Sequence, residues 1–215
     1  MKKGNSPEFI LTKSPIIPVV VLDDVRKAPF LARALNKGGI GIIEITLRTE
    51  CALSAISLIK RECPEMLVGA GTVLNKSDLE EVVKTGAHFA ISPGITNSLL
   101  ESASDIGIPL IPGISTVSEL MTGLEAGFSY FKFFPAMAAG GLDMLKALSG
   151  PFPNVKFCPT GGITALNFTE FLALDNVLCI GGSWLCPKAL IERESWDEIA
   201  VLCRSALKKV GLKDA

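Results

Sequence analysis

Eight short runs rich in β-branched and apolar residues recur along the chain, each followed by a longer amphipathic stretch. This alternation restricts the fold more than any other feature. The runs are IIPVVVL (16–22), IGIIEITL (40–47), MLVGAGT (66–72), FAIS (89–92), PLIPG (109–113), YFKFF (130–134), VKFCPT (155–160) and VLCIGG (177–182). Helical patterns occupy 24–37, 50–62, 76–85, 97–106, 116–126, 141–149, 164–174 and 195–209. Strands that are nearly all apolar belong in a parallel sheet covered by helices. Asn75 and Thr116 stand where helices need an N-cap, and Gly38, Gly86, Gly107 and Gly127 where helices must stop. Eight such units predict an α/β fold, a single-domain (β/α)8 TIM barrel over residues 1–215, with residues 1–14 an N-terminal extension or short helix. An open doubly wound sheet is the alternative, and the lack of a GxGxxG after the first strand argues against it.

Composition removes several function classes. The 215 residues carry 21 basic and 22 acidic side chains, a net charge of −1, in no basic stripe, so no nucleic-acid partner is expected. The longest apolar run, 16–22, is too short to cross a bilayer, and no membrane association is expected. No signal-type segment follows MKKGNSPEF, which favours a cytoplasmic location. Cys51, Cys63, Cys158, Cys179, Cys186 and Cys203 form no CxxC pair and read as reduced, mostly buried thiols. His88 is the single histidine, so a His-based metal site has nothing to converge on; it reads as a connector between a helix and a strand. No metal and no other cofactor is expected.

In a barrel of this kind, chemistry gathers at the carboxyl ends of the strands. There the sequence places EITLRT, GAGTV, ISPG, IPGIST, KFFPA, CPTGG and IGGSW. Lys132 is set among four aromatic rings in FSYFKFFPA. Strand alternation puts Tyr130, Lys132 and Phe134 on one face and Phe131 and Phe133 on the other. The two phenylalanines suit the helix side, which turns Lys132 inward. A lysine titrates near about 10.4 in water, and burial can lower that by up to roughly 3–5 units. A neutral amine attacks carbonyls, so Lys132 is a Schiff-base candidate; a snorkelling or ion-paired filler is the plainer alternative. Glu44, in the equally apolar IIEIT, is either its ion-pair partner or a proton carrier. Arg48 shares the parity of Glu44 and offers a planar fork to a carboxylate, unless it pairs with Glu50. Thr72 adds a hydroxyl on the next strand. The glycine pairs in PTGGIT and IGGSW follow the last two strands, where barrels commonly hold phosphate. Gly161, Gly162 and Gly182 would let an anion approach backbone N–H groups, with Thr160 and Ser183 adding hydroxyls. Pro93, Pro112 and Pro135 end strands and stiffen loops, and Pro93 and Phe134 also line the pocket. Trp184 and Trp196 read as packing residues, although Trp184 adjoins the second glycine loop.

VLDD, IEITLRTECAL, VGAGTVLN, FAISPGIT, IPLIPGISTVSELM, FKFFPA, FCPTGGI and VLCIGGSWL, taken together, resemble the 2-dehydro-3-deoxy-6-phosphogluconate and 4-hydroxy-2-oxoglutarate (KDPG/KHG) aldolase family, in register from residue 15 to beyond 190. The resemblance implies a class I, Schiff-base lyase of the Entner–Doudoroff pathway, a cofactor-free homotrimer built on a (β/α)8 barrel. Its partners would be a phosphorylated keto-acid substrate, split to pyruvate and glyceraldehyde 3-phosphate, and 4-hydroxy-2-oxoglutarate, split to pyruvate and glyoxylate. It implies the Schiff base for Lys132 and acid–base work for Glu44. Arg48 and Thr72 would hold the carboxylate, and Gly161, Gly162, Gly182 and Ser183 the phosphate, with Thr160 shaping the pocket. One departure stands out: many members carry a glutamate where this chain has Met137, which bears on loop polarity or subunit contacts. Three other readings stay open. They are an aldolase for the galactonate epimer, a phosphate-binding barrel isomerase that needs no inward lysine, and a non-catalytic binder of phospho-sugar acids.

Overall fold

The structure, a computed structural model, describes residues 6–211. Among them nine strands form: β1 Ile16–Val20, β2 Ile42–Thr46, β3 Leu67–Gly71, β4 Phe89–Ile91, β5 Leu110–Ile111, β6 Gly113–Ile114, β7 Tyr130–Phe133, β8 Lys156–Pro159 and β9 Ile180–Gly182. Every pairing is parallel. The strands fall into two sheets, one of six in the order β5-β4-β3-β2-β1-β9 and one of three in the order β6-β7-β8.

That arrangement corrects the expectation of a regular (β/α)8 TIM barrel with one closed ladder of eight strands. The largest unit is a curled, half-barrel sheet of six strands beside a smaller sheet of three. Two local causes are visible. The run 109–113 does not make one strand: β5 pairs back to β4, β6 pairs forward to β7, and Pro112, which has no N–H to give a ladder, stands between them. At the other seam, β8 meets the stretch before and within β9 only through the isolated bridges Phe157–Val177 and Thr160–Gly181. The same 20-residue step does not serve both bridges, so a residue is left over between them and no continuous ladder can form.

Helices return the chain between strands, and most lie where amphipathic spacing puts them, such as Ala28–Lys37, Ala52–Glu62, Asn97–Ile106 and Val117–Glu125. Asn75 accepts from the Asp78 amide at 3.0 Å, and Thr116 with Glu119 makes a reciprocal capping box. Gly107 ends its helix at φ +76°, a conformation that disfavours any residue with a Cβ. The expected helix over 164–174 shrinks to Phe168–Leu172, and a short helix at Lys188–Glu192 is additional. In the region 1–14, Pro7–Thr12 is helical, capped by Ser6, and buries Ile10 and Leu11; residues 1–5 lie outside the described residues, as do 212–215. Among the described residues, no helix is long and apolar enough to cross a membrane.

Phe131 and Phe133 are fully buried, and the Phe131 ring lies against Gly123 in the helix Val117–Glu125, which identifies that face of β7 as the helix side. The opposite face, carrying Lys132, therefore looks across the interior toward the six-stranded sheet.

Candidate active site

Lys132 is the third residue of β7, paired with Gly113 on one side and Cys158 on the other. Glu44 is the third residue of β2, paired with Val19 and Gly69. The two thus belong to different sheets, and their side chains meet across the interior with Lys132 Nζ donating to Glu44 Oε1 at 3.1 Å. Lys132 is 5% exposed and Glu44 1%. The lysine nitrogen also lies 5.3 Å from the centre of the Phe134 ring. Burying such a pair brings little stability, because the desolvation of both charges offsets most of their attraction, and a well-packed apolar pair would hold the fold equally well. A buried amine beside a buried carboxylate at the end of a strand is instead suited to exchanging a proton.

Arg48, Thr72 and Pro93 follow the ends of β2, β3 and β4, three neighbouring strands, and none makes a side-chain hydrogen bond or ion pair with Lys132 or Glu44. Arg48 is exposed, and its Nε donates to Thr46 Oγ1 at 3.2 Å. No described carboxylate, Glu50 included, lies within ion-pair distance of it. Thr72 adopts φ +60°, an uncommon backbone state for a β-branched residue. The Pro93 turn is held by Ser92, which is fully buried; its hydroxyl donates to Gly94 O at 2.7 Å and accepts from Gly113 N at 3.3 Å.

The two glycine loops stand side by side, because the Thr160–Gly181 bridge joins the strands they follow. Gly161 and Gly162 adopt φ +101° and +76°. The amides of Gly162 and Ser183, both exposed residues, donate to none of the described residues, leaving N–H groups where an anion would be welcome. Thr160 is buried with its hydroxyl against Gly181, where there is no side chain to displace it. Met137, half-exposed, packs over Gly162, while Asn167 braces the loop through Gly162 O at 3.3 Å and the Thr164 amide at 2.8 Å. Trp184 lies against Gly182 and Phe168, which gives it a part in shaping the second loop beyond simple packing.

Some contributors carry no chemistry and escaped the sequence reading. Gly71 leaves the space that Glu44 fills, and Gly181 does the same for Thr160. The signal was the spacing of GAGT, in which Gly71 shares the ladder with Thr46, two residues past Glu44. The cysteines are unpaired. Burial pushes the thiols of Cys179 and Cys186 well above the usual range and that of Cys203 up to about 12, so none is a ready nucleophile. Among the described residues, no three His, Cys, Asp or Glu side chains converge as metal ligands. A cavity of about 450 Å3 lies at the amino ends of β5 and β7, walled by Ile108, Leu110, Phe128 and Tyr130, at the opposite end of the strands from Lys132; it holds none of the residues above.

Residues 8–202 match the family model described as KDPG and KHG aldolase. The chain is 54% identical over 207 residues to the KHG/KDPG aldolase of Escherichia coli strain K12, covering 96% of this chain and 97% of that protein. It is 53% identical over 202 residues to the 2-dehydro-3-deoxy-phosphogluconate aldolase of Dickeya dadantii, covering 94% and 95%. Among solved structures, it is similar to a crystal structure of KDPG aldolase from Legionella pneumophila in which pyruvate was captured at low pH as a covalent carbinolamine intermediate. There the TM-score is 0.92 at 50% identity, over 94% of this chain and 98% of that one.

Proposed function

The chain belongs to the KDPG and KHG aldolase family, and from its buried amine–carboxylate pair we infer that Lys132 and Glu44 perform the chemistry of a class I aldolase. The reaction splits 2-dehydro-3-deoxy-6-phosphogluconate to pyruvate and glyceraldehyde 3-phosphate, and 4-hydroxy-2-oxoglutarate to pyruvate and glyoxylate. The observation that carries this reading is the 3.1 Å contact between Lys132 Nζ and Glu44 Oε1, out of solvent and with no other described charge within ion-pair distance of either.

A proton passed from Lys132 to Glu44 along that contact frees the lone pair that adds to the substrate C2 carbonyl. Glu44 returns that proton to the new oxygen, then carries a second from the nitrogen to the resulting hydroxyl, and water leaves, giving an iminium. The C3–C4 bonding pair then moves into the enamine while Glu44, directly or through water, takes the C4 hydroxyl proton and the aldehyde departs. Protonation of the enamine at C3 and addition of water to the iminium release pyruvate and restore the amine. The Phe134 ring stabilises the cationic stages and keeps water out. Arg48 and Thr72 receive the substrate carboxylate, Pro93 walls it, and the loops at Gly161, Gly162, Gly182 and Ser183 with Thr160 receive the phosphate. The free amides of Gly162 and Ser183 support that last assignment. A homotrimer in the cytoplasm is part of the same reading. Large apolar side chains left in solvent, among them Leu166, Met121 and Phe30, offer material for contacts between copies, and sedimentation equilibrium would register three chains of 22.8 kDa.

Borohydride reduction in the presence of pyruvate tests the chemistry. A stable adduct is expected on the peptide containing Lys132, and its absence rejects the imine route. Glu44→Gln, nearly equal in shape, is expected to lower kcat by about 10²–10⁴-fold with less effect on KM.

A further inference from the structure

Thr46 is the last residue of β2, between Glu44 and Arg48 in the sequence, and is 2% exposed. Its hydroxyl has one proton and two lone pairs, and both kinds of capacity are used. Thr46 Oγ1 donates to Val20 O, at the end of β1, at 2.9 Å. The proton being committed there, the same oxygen faces Arg48 Nε with a lone pair and accepts its hydrogen at 3.2 Å. The directions are therefore fixed: backbone carbonyl of β1, threonine hydroxyl, arginine Nε.

This is the only side-chain hydrogen bond Arg48 makes to a described residue. It holds the Nε side of an otherwise exposed guanidinium and leaves both Nη groups open. Two further links strap the same turn to the segment just after β1, since Thr49 Oγ1 and Cys51 Sγ both donate to Leu22 O, at 2.6 and 3.0 Å. These fix the backbone beyond Arg48, whereas Thr46 alone reaches its side chain. A long cationic side chain on a surface samples many rotamers; anchoring one edge selects those that present the other edge as a two-pronged donor.

We propose that Thr46 is a positioning residue for substrate recognition: it relays the β1 backbone to Arg48 Nε so that the Nη edge is held ready for the keto-acid carboxylate. The proposal rests on the reading of Arg48 as the carboxylate receptor. It predicts a binding defect, not a chemical one.

Thr46→Val keeps the shape and deletes the hydroxyl, and Thr46→Ser keeps the hydroxyl and deletes the methyl. Each is made alone and in an Arg48→Ala background. The half-saturation of borohydride trapping by pyruvate and the KM and kcat of cleavage are measured, with Tm as a fold control. Thr46→Val is expected to raise pyruvate half-saturation and KM about tenfold, the scale of one hydrogen bond to a charged group, with kcat changed far less. Thr46→Ser should return to near the wild-type values, and in the Arg48→Ala background Thr46→Val should add almost nothing. An unchanged KM, failure of serine to rescue, or an equal effect without Arg48 overturns the proposal. If Arg48→Ala itself leaves half-saturation unchanged, it is the Arg48 reading that falls. Should Thr46→Val unfold, Thr46→Ala, which admits water to the Val20 carbonyl, takes its place in the same cycle.

Discussion

A methyl group at position 71 would fall on Glu44 Oε1 and lie 2.7 Å from Glu44 Cδ, so the carboxylate occupies space that only glycine leaves open. Gly71 sits on β3 beside β2, and its lack of a side chain lets Glu44 reach back toward Lys132. Gly71→Ala forces the Glu44 carboxylate off its present site, and that swing lengthens a 3.1 Å contact. A displacement of about 1 Å at a reacting group typically costs on the order of 10²-fold. A kcat lowered by that amount, with the chain still folded by circular dichroism, is the expected result for Gly71→Ala; a wild-type kcat would mean that Glu44 does not act from this position. Lys132 and Glu44 themselves were legible as residues because charge is conspicuous in apolar strands. Their meeting stood in the sequence only as one of two alternatives for Glu44, since 88 residues separate them and only the curl of two sheets brings them together.

Elements were readable where a local rule governs them. Short apolar, β-branched runs gave β2, β3 and β7, 3.6-residue spacing gave the longer helices, and capping side chains marked their starts. Sheet closure was not readable, because it turns on a proline that splits one expected strand and on a seam held by isolated bridges. The five-residue helix Lys188–Glu192 was too short for its period to register. The loop after β8 lies between these cases: its glycines are visible in sequence, but their function depends on positive φ and on what covers them. Gly162 stands at φ +76°, and a methyl there would approach Met137 Cγ to 2.6 Å. Gly162→Ala should therefore distort the loop and withdraw amides from the phosphate. KM for the phosphorylated substrate is expected to rise about tenfold, as for loss of one charge-assisted hydrogen bond. KM for 4-hydroxy-2-oxoglutarate, which carries no phosphate, should stay near the wild-type value. Parallel kinetics on the two substrates check this, and an equal rise on both removes the loop from phosphate recognition.

At the scale of the whole molecule, His88 ties the helix Ala52–Glu62 to the start of β4. Its Nε2 faces Lys60 Nζ at 2.6 Å, and its Nδ1 lies 3.2 Å from Val68 O. A lysine ammonium donates, so Nε2 carries a lone pair, while Nδ1 also lies 3.1 Å from the Val68 amide; the neutral ring is the form that fits both neighbours. Burial, and then the charge of Lys60, hold the His88 pKa below its ordinary value of 6.5. The sign of the linkage follows. Below pH 6.5 the unfolded chain takes up a proton at this site that the folded chain resists, so the unfolded state binds more protons and stability falls as pH falls. The loss begins near pH 6.5 and runs down to the depressed folded value, below which the folded ring is protonated as well. For a chain of this length each kcal/mol lost lowers Tm by about 2–4 °C. Calorimetry from pH 7.5 to pH 5 should show this decline as one part of the acid profile. His88→Gln, whose amide oxygen can still accept from Lys60 and which does not titrate, should flatten that part, so that the wild-type and variant curves converge as pH falls. Parallel curves throughout would mean that the imidazole takes up its proton in the folded protein as readily as in water, and that the helix is held there by packing alone.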